Sequence, residues 1–104
     1  MTKNVWEIEF KCDATKLICK INVLYPSPGA FFNFNGQRYK ILKAEIGNGG
    51  GQNGEVISDN LEIACGGKKS IKVLEIQREG KKVQKIGEFM LGSQIKKGSI
   101  ISNV

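Results

Sequence analysis

With 104 residues, a formal charge of +6, 40% apolar and 25% charged residues, the chain has the size and make-up of one globular domain with a modest core. No apolar run approaches the ~18–20 residues of a membrane span, no apolar stretch follows Met1 to act as a secretory signal, and histidine is absent. Cys12, Cys19 and Cys65 form no CxxC pair and leave one over in any pairing, which points to a reducing, cytoplasmic compartment.

Trp6, Ile8 and Phe10 alternate with Glu7 and Glu9, the period-two pattern of a short extended segment with one buried face. Asp13 is placed to cap a helix, because Ala14, Leu17, Ile18, Ile21 and Leu24 follow at helical spacing. Pro26 and Pro28 stop that helix, since proline fixes φ and removes a backbone donor. Phe31, Phe32 and Phe34 read as a strand, Asn35-Gly36 as a two-residue type I′ turn, and Arg38 to Ile46 as the returning strand.

In the returning strand the apolar phase slips by one between Ile41 and Leu42, and the same slip recurs between Val73 and Leu74. Each slip predicts a β-bulge or bend that lets both halves of a long strand point inward, as a small barrel requires. Gly47 to Gly54 reads as a flexible loop, Glu55 to Ser58 and Leu61 to Cys65 as short strands, and Ser70 to Glu79 as a long one. Lys85 to Leu91, closed by Gly92, is a short late helix, and Ile100-Ile101 a last strand. The expected fold is mainly β: a small five-stranded OB-like barrel with an N-terminal helix and a short late helix. It forms a single domain over 1–104, with 1–12 a linker-like extended segment, 13–24 the helix and 29–104 the barrel.

Charge is unevenly placed. Lys68, Lys69, Lys72, Arg78, Lys81, Lys82, Lys85, Lys96 and Lys97 face only Glu75, Glu79 and Glu88 within one segment, and that segment carries the whole net charge. Such a stretch suits an anionic partner, usually a nucleic-acid backbone, and equally suits a solubilising surface. Phe31, Phe32, Phe34 and Tyr39 beside Arg38, Lys40 and Lys43 have the composition of a stacking platform, yet a domain this small needs most of those rings in its core.

Other chemistries lack material. Gly66-Gly67-Lys68-Lys69-Ser70 is missing the GK[ST] of a P-loop and leads into a strand rather than a helix. Without histidine, three dispersed cysteines make no zinc set, so no metal is expected. Glu7/Glu9 and Glu75/Glu79 lie among exposed alternating positions, unlike a general acid/base pair.

The run Pro26, Pro28-Gly29-Ala30-Phe31, Asn35-Gly36, Arg38, Lys40-Ile41 and Lys43-Ala44-Glu45 resembles the "P-x-PGAF … NG-x-R-x-KI-x-KAE" opening of the C-terminal domain of methionyl-tRNA formyltransferases. Gly54-Glu55-Val56, Leu61-Glu-Ile-Ala-Cys-Gly66, Ile76-Gln77 with Gly80-Lys81-Lys82, and Phe89-Met-Leu-Gly92 with Lys97-Gly98 resemble its later "PGEV", "L-x-VACG", "LQ-x-x-GKK" and "FL-x-G … PG" elements in order. Asn53 and Lys97 stand where that family commonly has proline.

This resemblance implies the same barrel and a noncatalytic tRNA-binding role beside a catalytic domain in the same polypeptide. In that family a Rossmann-like domain, with Asn, His and Asp in its active site, binds the folate donor and transfers the formyl group. No such domain fits in this chain, so neither catalysis nor a cofactor is expected of it. The tRNA acceptor arm is expected to meet Lys68, Lys69, Lys72, Arg78, Lys81, Lys82 and Lys85, with Arg38, Lys40 and Lys43 extending the patch. A protein-docking module, or the tail of a sugar-nucleotide formyltransferase, is the alternative.

Overall fold

A computed structural model describes residues 6–25, 29–92 and 95–101, with backbone only for Trp6. Among these residues six strands and two helices follow one another: β1 (Trp6–Glu7), α1 (Ala14–Leu24), β2 (Ala30–Phe34), β3 (Gln37–Gly47), β4 (Glu62–Ala64), β5 (Ser70–Arg78), β6 (Val83–Lys85) and α2 (Ile86–Leu91). They build one curled, open sheet, a half-barrel of order β1-β2-β3-β5-β4 with β6 added beside β5. The mainly β fold with its N-terminal and late helices is therefore as expected.

Helix α1 begins where its cap predicts. Asp13 Oδ1 accepts the Thr15 backbone N–H at 2.7 Å, a bond that holds the Asp13 carboxyl below its ordinary value. Ala14, Leu17 and Ile21 form its buried stripe. The helix ends at Leu24; Pro26 and Pro28, to which the stop was assigned, lie outside the described residues. Asn35 and Gly36 take φ of 52° and 80°, both positive as a type I′ turn demands.

Both expected slips appear as bulges. Ile41 pairs with Ile76, Lys43 with Glu75 and Ala44 with Val73, so Leu42 is the extra residue on β3 and Leu74 the extra one on β5. One bulge on each partner bends the pair while keeping Ile41, Ile71, Val73 and Ile76 buried on the inner side. The core behind this sheet takes in Ile8 and Phe10 from the segment after β1, Leu17 and Ile21 from α1, and Phe89 from α2. Phe32, with no exposed surface, stacks on Tyr39 at 5.3 Å and meets Phe10 edge-on at 6.0 Å.

Three details differ from the sequence reading. Val83–Lys85 pairs with β5 as a strand before α2 starts at Ile86; three residues, two of them exposed, are too few to show a period. Glu55 and Val56 join the sheet only through single bridges, to Ile100 and Ile63. The glycine-rich loop packs down onto the sheet: the Gly49 N–H donates to Glu62 Oε2 and Ser70 Oγ, each at 3.2 Å. Added Cβ atoms at Gly47 and Gly49 would collide with Ser70, Glu62 and Ile57. The glycines thus allow a close approach that covers Ser70 and Ala64 completely.

The thiols are separated by burial. Cys65 donates to the Ile63 carbonyl at 3.4 Å, and burial pushes its pKa up to about 12. Cys19 is exposed on α1. In the native chain at pH 8, iodoacetamide is expected to alkylate Cys19 and to reach Cys65 only after denaturant is added. Equal labelling of both in the native state would contradict this packing.

Candidate RNA-binding face

Cross-strand partners point to the same side of a sheet, so register sorts the basic residues. Phe31 pairs with Lys40, and Asn33 with Arg38, whereas Phe32 pairs with the core residue Tyr39. Arg38 and Lys40 therefore stand on the outer face. Beyond the bulge, Lys43 pairs with Glu75, which pairs with Lys85. These three also share the outer face, with Lys43 and Lys85 two strand spacings apart, about 10 Å. Lys81 and Lys82 are exposed in the β5–β6 turn just beyond. Arg38, Lys40, Lys43 and Lys85 thus line one half of the outer surface, interrupted by Glu75, and the exposed Lys81 and Lys82 stand in the turn at its edge.

Aromatic rings lie under this basic layer. The Arg38 guanidinium sits 4.2 Å above the centre of the Phe31 ring, and Lys43 Nζ lies 5.9 Å from that of Tyr25. Phe31 is buried outside the main core, while Tyr25 is 44% exposed. The remaining aromatic rings described here, including Phe32 and Tyr39, serve the core as the size of the domain required.

Four expected site residues are placed elsewhere. Lys68 and Lys69 lie in the β4–β5 turn, at the opposite end of β5 from Lys81 and Lys82. Nine residues of strand put roughly 30 Å between the two ends, and the longest dimension of the molecule is 35 Å. Lys72 is on the outer face but between Glu45 and Glu62 in register, so two carboxylates offset its charge. Arg78 pairs with Tyr39 and so leaves β5 on the inner side, at the rim of the half-barrel. There burial raises the Tyr39 phenol, against the opposing pull of the Arg78 charge. A list of charges cannot reveal such sorting; the period of β5, with Ile76 and Arg78 in the same phase, was the signal available for Arg78.

No group of three or more Cys, Asp or Glu that could hold a metal occurs among the described residues, and no described helix is long and apolar enough to cross a membrane. Fold and face together define a small curled-sheet module that offers a basic outer surface underlaid by aromatic rings. The chain belongs to the formyl transferase C-terminal domain family, whose profile matches residues 1–94. It is 63% identical over 102 residues to a methionyl-tRNA formyltransferase of Pelagibacter ubique, an alignment covering 98% of this chain and 33% of that protein. It is 41% identical over 103 residues to one of Rickettsia massiliae and 42% to one of Rickettsia felis, in each case across 97% of this chain and 34% of the relative. The chain thus spans about a third of the length of the curated relatives it matches. The family resemblance read from the motifs is borne out.

Proposed function

We propose that this domain holds tRNA for a methionyl-tRNA formyltransferase without itself taking part in the bond chemistry. The parent reaction in this reading is formyl transfer from 10-formyltetrahydrofolate to methionyl-tRNA in translation initiation. The folate and the catalytic residues belong to a domain outside these 104 residues. The observation that supports the reading is the gathering of Arg38, Lys40, Lys43 and Lys85 on one half of the outer face, with Lys81 and Lys82 exposed in the turn at its edge.

Cations spaced along an open surface meet phosphates and fix the orientation of an RNA without reading its sequence. Their contribution to the reaction is positional, since holding the acceptor arm toward the catalytic domain lowers the entropic part of the barrier. Lys68 and Lys69 reach the same RNA only as a separate, distal contact. Lys72 contributes least, because Glu45 and Glu62 flank it.

The test is a titration of the 104-residue chain with initiator tRNA and with an elongator tRNA at two salt concentrations. Binding of both that weakens steeply with salt is the expected result. Association indifferent to salt, or none at low salt, would contradict the proposal and favour a protein-docking role.

A further inference from the structure

Toward the β1–β2 edge the outer face changes character. Phe31 stands on the outer side yet is only 7% exposed and lies outside the main core. Over its ring lies Arg38, with the guanidinium carbon 4.2 Å from the ring centre. Arg38 is itself exposed, so one face of its guanidinium rests on the ring and the other meets solvent. Lys40, the register partner of Phe31, leans across Gly29 instead. The ring thus holds the guanidinium as a flat, charged plate.

Hydrogen-bonding groups stand beside that plate. Asn33 is the register partner of Arg38, and Glu7 is that of Phe31 across the parallel β1–β2 pair. Both are exposed, and Glu7 Oε2 accepts the Asn33 Nδ2–H at 3.4 Å. This long bond leaves most of the acceptor capacity of the Glu7 carboxylate open. A carboxylate repels phosphate, so this end is poorly made for the RNA backbone alone. An acceptor beside a stacking plate suits a nucleobase that carries an exocyclic amino group.

We infer that the end of the outer face formed by β1, β2 and the start of β3 seats one unpaired nucleobase, stacked on Arg38 with its amino group donating to Glu7. Stacking uses the flat face of the guanidinium and leaves its charge to act on nearby phosphates. The inference rests on the RNA reading for the source of the base. It adds what phosphate contacts cannot supply, a preference for unpaired over paired residues and for amino-bearing bases over uracil.

The test compares tetracytidylate with tetrauridylate, equal in backbone charge, and with a blunt RNA duplex, in NMR titrations of the 104-residue chain. Tetracytidylate is expected to bind about two- to tenfold more tightly than tetrauridylate, the worth of one hydrogen bond. Its stacked base should move the Arg38 side-chain protons upfield.

Arg38→Lys keeps the charge and loses the plate. It should weaken both tetranucleotides at least about fivefold, the low end for one stacked base, and change duplex binding less than about twofold. Glu7→Ala, at an exposed position, should erase the preference for cytosine; a carboxylate that merely repelled RNA would on removal tighten both tetranucleotides alike. Equal affinity for the two, a preference that survives Glu7→Ala, or an Arg38→Lys chain that binds both as the parent does would overturn the inference. The two readings separate. Initiator tRNA bound by a chain that treats the tetranucleotides alike defeats the base site alone, and a cytosine preference without tRNA binding upholds it while defeating the tRNA reading.

Discussion

Phe32→Ala is expected to destabilise the domain by about 3–5 kcal/mol, the usual cost of emptying a large aromatic site in a core. Phe32 links the parts of the fold that sequence keeps apart. Its ring stacks on Tyr39 of β3 and meets Phe10, while Tyr39 meets Phe89 of α2 edge-on at 5.6 Å. Removing its ring leaves a cavity between the N-terminal segment and β3 and takes away the support of Tyr39, on which Phe89 of the late helix rests, so no single element can collapse to fill it. Domains of this size have only about 5–15 kcal/mol of net stability, and each kcal/mol is worth about 4–8 °C. The thermal midpoint should therefore fall by roughly 15 °C or more. Phe34→Ala, at a half-buried strand end, should cost less than half as much. Equal losses at the two sites would place the core elsewhere than behind β2 and β3.

The second large effect concerns binding. Replacing Arg38, Lys40 and Lys43 together by glutamine removes three charges from β3 and keeps most of each stem. The stems matter: Lys40 packs across Gly29 closely enough that a Cβ there would lie 2.6 Å from its Cδ, and Arg38 covers Phe31. Each phosphate contact contributes a little under one unit to the dependence of log affinity on log salt. The triple variant is thus expected to lose roughly two to three units of slope and on the order of tenfold to a hundredfold in low-salt affinity for tRNA. Lys68→Gln/Lys69→Gln, altering charges a strand length away, should change the slope by about one unit or less. A distal pair that matches the triple would move the RNA to the other end of the sheet.

What could be read from sequence follows from the range over which each signal acts. Asp13 as cap and Asn35-Gly36 as turn are local choices of backbone angle, and both are found where expected. The slips at Ile41/Leu42 and Val73/Leu74 announced two bulges because period-two burial permits no other way to keep both halves inward. Motif order along the chain sufficed for the family.

Convergence of charge is a property of pairing, which sequence does not display. Lys43 and Lys85 are neighbours only through β5, and Lys68 is remote from Lys81 only because an extended strand lies between them. β6 was missed because a three-residue edge strand has too short a pattern to register. The glycine-rich loop read as flexible because nothing in Gly47 to Gly54 tells that Ser70 and Glu62 wait beneath it.

The central claim, that RNA docks on the outer face of β3 and the β5–β6 hairpin, is tested most directly by amide chemical-shift mapping of the 104-residue chain against an acceptor-arm RNA hairpin. The account predicts perturbed amides clustered at Arg38 to Lys43 and Arg78 to Lys85, with α1 and the Lys96–Gly98 turn left quiet. Shifts concentrated on α1 or that turn, or none at low salt, would contradict it.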